Sequence, residues 1–282
     1  MKSYKISSEF SDSKEFVVNL PERFDHLGGL VIKDNRNVVK KVDTHHGTFV
    51  VKSFAGMYFF NRLAYSLFRK SKASRSYIYS EMLNEKGIAT PAPVAWVNSY
   101  TCGLLTQSYF VSVYEPHQTL EEILKHGSMQ DESKKEELYH NLAEFTSRLH
   151  SLGIYHEDFS MGNILVIPTS NGYQFSLVDL NRIKFQNIGY RKGVRNFVKL
   201  GIPQEDMNLL LSKYAILSQQ SPERSINLFW KDKKRSSLLR KFRKRIRSYT
   251  VAPLERLLAG KAFLIFFDQL QTFIDVYSIS MT

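Results

Sequence analysis

A chain of 282 residues with 43% hydrophobic and 23% charged side chains can bury a sizeable core, as one large or two smaller domains, and is not composed like a disordered or fibrous protein. A formal charge of +12 implies an anionic partner, while the absence of any apolar run near the ~20 residues that span a bilayer argues against a membrane-crossing chain. One cysteine, Cys102, excludes an intrachain disulfide, fits a reducing cytosol and reads as an inert buried side chain.

Residues 1–16 scatter Lys, Ser, Asp and Glu without an apolar centre, so they do not read as a secretion signal. Three strands follow at 30–33, 38–42 and 48–54, separated by the turn-rich stretches 34–37 and 43–47. Lys52 sits among apolar neighbours in the third strand, a setting that taken alone suits an ordinary edge-strand lysine. Segment 57–76 is basic and aromatic, either core packing or a second surface. A helix carrying Glu81 and Leu83 should end at Gly87, and strands should cover 94–97 and 109–114. Glu115-Pro116 interrupts the last of these, and Thr119 with Glu122 has the spacing of a helix-capping box.

Leu138, Leu142, Phe145, Leu149 and Leu152 alternate at four and three residues, which predicts one buried stripe on a helix that Gly153 ends. Next comes the stretch from Tyr155 to Val166, containing His156, Asp158 and Asn163. The apolar runs 164–167 and 175–178 flank Pro168 and an Asn171-Gly172 turn, so they read as an antiparallel hairpin. That hairpin places Asn163 and Asp179 at one open end, with Asp158 five residues upstream facing the same space. Each residue alone is commonly a turn former. Together they match the division of labour in phosphoryl transfer, where one acid handles the nucleophile and an amide and a second acid hold magnesium. On that reading Lys52 reaches the nucleotide phosphates, the helix with Glu81 corresponds to helix C, and Val113 to His117 is the lobe-connecting segment whose Val113, Tyr114 and Glu115 meet the adenine.

Between 231 and 247 there are ten Lys or Arg residues against Asp232 alone, +9 of the net +12. Leu238, Phe242 and Ile246 recur every four residues within 236–248, an apolar stripe on a cationic helix. Such a helix lies on anionic lipid at ~1 kcal/mol per basic residue, or packs on its own protein; nucleic-acid binding is the weakest alternative.

The residues around Asp158 and Asp179, with 69–77, 87–94 and Asp179-Leu180-Asn181-Arg182, resemble the lipopolysaccharide core kinase family over roughly 30–185. The resemblance implies bacterial sugar kinases of protein-kinase-like fold that phosphorylate heptose or Kdo. It implies Asp158 as acid/base, Asn163 and Asp179 as magnesium ligands, and Lys52 on the phosphates of ATP. Three departures stand out. The first strand turn has no glycine, Glu157 replaces the Arg of H-R-D, and Ser76 falls near the position where related phosphotransferases carry the lysine's Glu partner, leaving Glu81 as the substitute. The expected architecture is α+β and two-lobed, with an N-terminal lobe over 1–112, a hinge over 113–117 and a C-terminal lobe over 118–282. The expected activity is ATP- and Mg2+-dependent phosphorylation of a lipid-linked core sugar by a cytoplasmic enzyme held at the inner membrane face through the basic helix, without nucleic acid. A soluble choline- or aminoglycoside-kinase-like enzyme and a non-catalytic pseudokinase are the competing readings.

Overall fold

The computed structural model describes residues 1–34, 37–54, 70–125 and 131–246. The chain divides into two units, Met1–Phe229 and Trp230–Thr282. In the first, β1 (Lys2–Ile6), β2 (Leu30–Asp34), β3 (Val38–Thr44), β4 (Gly47–Ser53), β5 (Pro93–Thr101) and β6 (Leu104–Val113) form a six-stranded antiparallel sheet in the order β1-β5-β6-β4-β3-β2. Side chains alternate between its faces. Phe49 and Val51 of β4 enter a core with Val17, Leu20 and Phe24, which come from two short helices, α1 (Lys14–Val18) and α2 (Leu20–Arg23). Each such fully buried side chain stabilises the unit by roughly 1.5–3 kcal/mol. The other face of the sheet carries Lys52 and is packed by α3 (Lys72–Glu85) against β5 and β6. Ser71 starts α3 by accepting from the Ser74 N–H at 3.0 Å, the expected chemistry of a helix start.

Cys102 is exposed, not buried as expected. It shares with Gly103 the two-residue turn between β5 and β6, where both residues have positive φ, and a hairpin tip points at solvent. The basic aromatic segment expected at 57–76 lies outside the described residues up to residue 69.

Downstream come α4 (Leu120–Lys125), α5 (Glu132–Ser151), β7 (Ile154–His156), the hairpin β8 (Ile164–Thr169) and β9 (Gly172–Leu177), then β10 (Ile183–Phe185), α6 (Tyr190–Asn196), α7 (Gln204–Leu217) and α8 (Pro222–Ile246). The capping box before α4 forms in both directions, Thr119 N to Glu122 Oε2 at 2.7 Å and Glu122 N to Thr119 Oγ1 at 3.2 Å. Leu138, Leu142 and Leu149 bury the stripe of α5 against α7 and β9, but Leu152 is exposed because it lies past the last helical turn. Gly153 adopts φ +72 there, and a Cβ on it would stand 2.9 Å from the Gln186 carbonyl oxygen. Segment 87–93 fastens the sheet to the hairpin: Thr90 Oγ1 donates to the Leu177 carbonyl at 2.7 Å and Leu177 N to the Ala89 carbonyl at 3.0 Å.

Of the cationic helix expected over 236–248, residues 236–246 are the end of α8, which begins earlier, at Pro222; 247–248 and the Ile246 side chain lie outside the described residues. Leu238 and Phe242 are exposed on it. Among the described residues no helix is long and apolar enough to cross a membrane.

Candidate active site

Pairing of Ile164 with Leu177 closes the open end of the β8–β9 hairpin, and Val178 N donates to the Asn163 carbonyl at 3.1 Å. Asn163 and Asp179 therefore emerge side by side. Asn163 is almost fully buried, and its Nδ2 donates to the Asp158 carbonyl at 2.9 Å. Its Oδ1 consequently faces away from that bond as an acceptor with no partner among the described residues. The same bond ties the loop bearing Asp158 to the hairpin.

His156 makes the second tie. Its backbone belongs to β7, which pairs with β10, and its ring lies between two backbone groups. Nδ1 accepts from the Asp158 N–H at 3.1 Å, so Nε2 carries the proton and donates to the Val178 carbonyl at 3.2 Å. Burial lowers the basicity of this ring, against smaller opposing pulls from the Val178 bond and from Asp179 and Asp158. A neutral imidazole thus fixes the spacing between the Asp158 loop and the segment after β9 that carries Asp179.

Asp179 has φ +59 and ψ +48, a left-handed conformation that Asp tolerates better than most residues. From there its Oδ1 accepts from Lys52 Nζ at 2.5 Å and from Asn181 Nδ2 at 2.5 Å. Burial pushes the Asp179 carboxyl up, but the charge and hydrogen bond of Lys52, with help from His156 and Lys33, outweigh it and hold the carboxyl below its ordinary range. Lys52 moves the other way from what its partner alone would do: burial dominates and lowers its pKa against the pull of Asp179. Asp179 Oδ2 has no partner among the described residues.

Asp158 is about one-third exposed and meets two cations, Lys199 Nζ at 3.0 Å from Oδ1 and Arg182 Nη1 at 3.8 Å from Oδ2. Lys199 also donates to the Glu157 carbonyl at 2.6 Å, which fixes the loop from outside. Glu157, in the position of the H-R-D arginine, instead forms an ion pair with Lys184.

Glu81 is not brought to Lys52. Its carboxylate pairs with Lys5 of β1 at 2.9 Å, beside Tyr77. Lys5, Trp96, Phe110 and Lys52 lie opposite one another across β1, β5, β6 and β4, so Glu81 serves the far end of the row that Lys52 belongs to. Three strand spacings of ~4.8 Å separate those ends. Ser76 turns its hydroxyl to the Lys72 carbonyl of its own helix at 3.0 Å. The segment after β6 is partly committed as well: Val113 N donates to the Ala92 carbonyl at 2.9 Å and Tyr114 N to the Thr48 carbonyl at 3.0 Å. Their carbonyls and the Glu115 N–H are the groups left for a base, and Glu115 Oε2 is buried without a partner among the described residues.

A buried network behind the loop had no signature in residue spacing. Asn196 Nδ2 donates to the His156 carbonyl at 3.0 Å, so its Oδ1 accepts from His150 Nε2 at 3.1 Å. His150 Nδ1 then accepts from the Tyr214 hydroxyl at 2.8 Å. Burial lowers the His150 pKa to about 4 and raises that of Tyr214 to about 12.

Asn163 Oδ1 and Asp179 Oδ2 are two hard oxygens at the mouth of one hairpin. They fit magnesium, which keeps several waters and shares phosphate oxygens instead of sitting in an all-protein cage. Among the described residues no group of three or more His, Cys, Asp or Glu forms such a cage.

Three comparisons bear on this geometry. The chain is 26% identical over 137 residues to the 3-deoxy-D-manno-octulosonic acid kinase of Pasteurella multocida (strain Pm70), a match covering 48% of this chain and 55% of that protein. It therefore spans about half the length of the curated relative it matches. The fold is similar to that of WaaP, solved in complex with acyl carrier protein, with a TM-score of 0.57 at 17% identity over 84% of this chain and 99% of the other. That likeness makes the architecture the mixed α and β, protein-kinase-like fold expected from the sequence. Residues 34–214 match the model of the lipopolysaccharide kinase (Kdo/WaaP) family, and with close to two-thirds of its length matched the chain belongs to that family.

Proposed function

We propose that the protein transfers the γ-phosphoryl group of ATP to a hydroxyl of a lipopolysaccharide inner-core sugar, Kdo or heptose. The observation that carries this reading is the convergence of Lys52, Asp179, Asn163 and the Asp158 loop on one mouth, in a member of a lipopolysaccharide kinase family. Lys52 holds the α- and β-phosphates once it exchanges part of its contact with Asp179 for the nucleotide. Asp158 accepts the proton of the sugar hydroxyl and orients the oxygen for in-line attack. Lys199 and Arg182 hold its two carboxylate oxygens in place. Asn163 Oδ1 and Asp179 Oδ2 would hold magnesium, which when bound neutralises the phosphate charge. Val113, Tyr114 and Glu115 offer carbonyls and one N–H to the adenine.

In this reading 1–112 is the nucleotide lobe, 113–117 the hinge and 118–282 the lobe that carries the acceptor. The basic helix, with Leu238 and Phe242 exposed among its cations, supports residence at the inner membrane face, where a lipid-linked sugar is found. WaaP, whose fold this chain shares, was solved bound to acyl carrier protein, so competition by that protein is to be measured alongside binding to anionic lipid vesicles.

Transfer of 32P from labelled ATP to Kdo-bearing and heptose-bearing core acceptors, by the wild type and by Asp179→Asn, tests the proposal. Label should enter one acceptor class with wild type and disappear with Asp179→Asn. Undiminished transfer by the variant, or none to either acceptor by the wild type, rejects it.

A further inference from the structure

We propose that Lys33 contacts the β- and γ-phosphates of the bound nucleotide, doing with a side chain what a glycine-rich strand turn does with backbone amides. The proposal rests on the phosphotransfer reading above.

The geometry comes from one irregularity in the sheet. Leu30 pairs with Lys41 and Val31 with Lys40, but Lys33 pairs with Val39 and Asp34 with Val38, so Ile32 is the extra residue of a β-bulge. Val39 is in turn opposite Lys52. Residues directly opposed in an antiparallel sheet project from the same face, so Lys33, Val39 and Lys52 form one row two strand spacings long, ~10 Å. Without the bulge, Ile32 would face Val39 and Lys33 would be opposite Val38. Val38 packs on the core of the other face, against the cluster that contains Val17 and Phe24. The bulge therefore turns a lysine toward the active site that would otherwise point away from it.

The neighbouring lysines of the sheet already have work. Lys5 pairs with Glu81, Lys40 donates to the Phe24 and Leu27 carbonyls, Lys41 lies over the Tyr114 ring and Lys52 pairs with Asp179. Lys33 is exposed and has no acceptor among the described residues. Its charge still reaches the site, since it acts on both Lys52 and Asp179. Two cations share that stretch of sheet face, and Asp179 answers only one. A polyphosphate lying along the row satisfies both. The sequence 34–37 that joins β2 to β3 contains no glycine, the residue that permits close backbone approach to phosphates, which leaves that role to a side chain.

The test is binding of ATP, ADP and AMP to the full chain, wild type, Lys33→Ala and Lys33→Arg, by titration calorimetry with magnesium present. A charged contact of this kind changes affinity roughly tenfold to hundredfold. Lys33→Ala should weaken ATP by that factor, leave AMP unchanged and melt at the wild-type temperature, and Lys33→Arg should recover most of the loss. Equal weakening of ATP and AMP, or no change for ATP, overturns the role of Lys33. Wild-type protein that binds no ATP at all overturns the phosphotransfer reading itself, and that result is visible before any variant is made.

Discussion

Acid should loosen the protein through His150, which touches no proposed substrate. In the folded chain its ring is neutral, because Asn196 Oδ1 needs the Nε2 proton and the Tyr214 hydroxyl needs the Nδ1 lone pair. Burial holds its pKa at about 4, against 6.5 for the ordinary group. Between those two values the unfolded chain takes up a proton that the folded chain refuses. The stability it contributes is therefore complete above pH 6.5 and drains away as pH falls toward 4. At roughly 1.4 kcal/mol per pH unit the whole window is worth about 3 kcal/mol, of which about 2 kcal/mol is gone by pH 5. The loss falls on the loop that bears Asp158, since Asn196 connects His150 to the His156 carbonyl. His156 is depressed in the same direction, so a single protein cannot separate the two rings. Urea unfolding at pH 7.5 and pH 5.0, for wild type and His150→Gln, separates them by difference. The wild type should lose about 2 kcal/mol more than the variant on acidification. Parallel losses in both proteins would falsify the assignment.

Gly193→Ala should strike the same network, because a Cβ there stands 2.3 Å from the Tyr214 hydroxyl and 2.9 Å from His150 Nδ1. Overpacking of this kind costs roughly 1–3 kcal/mol, more than the ~1 kcal/mol of helix propensity gained, so thermal unfolding should show a net loss. Lys199→Ala removes the tether at 3.0 Å from Asp158 and should lower kcat roughly tenfold with little change in ATP affinity. A rise in KM for ATP at unchanged kcat would place Lys199 on the nucleotide instead. Replacing Arg240 and Lys241 with Glu should weaken binding to vesicles of anionic lipid, and raising salt should weaken the wild type in the same way; wild-type binding that ignores salt would count against the membrane role.

The hairpin and the placement of Asn163 and Asp179 at its open end were legible because their geometry is local. Asn163 and Asp179 flank a turn of fixed chemistry, and pairing of Ile164 with Leu177 leaves no other arrangement for the open end. The capping box at Thr119 and the stripe of α5 were legible for the same reason. What escaped was set by distant parts of the chain. Nothing near Lys199 signals that it will reach Asp158, 41 residues earlier, or that Asn196 will support the His156 backbone. β1 and the short helices α1 and α2 carry too few residues to show a period, yet β1 decides the partner of Glu81. The bulge at Ile32 is likewise invisible until strand pairing counts one residue more on β2 than on β3.

Glu81 makes the consequence measurable. A kinase that depends on a helix-borne glutamate to hold its lysine can be switched by moving that helix. Here Lys52 is held by Asp179, just past the end of β9, while Glu81 is engaged with Lys5 of β1 at the sheet edge. The Lys5–Glu81 pair is substantially exposed, so removing it costs no more than ~1 kcal/mol. Glu81→Ala should therefore keep near wild-type kcat and ATP affinity, whereas Lys52→Ala should lose both. Position of α3 would then have little leverage over catalysis, and the enzyme would run without a helix-driven off state. A Glu81→Ala variant as inactive as Lys52→Ala would show that the carboxylate moves onto Lys52 during turnover and that α3 is a switch after all.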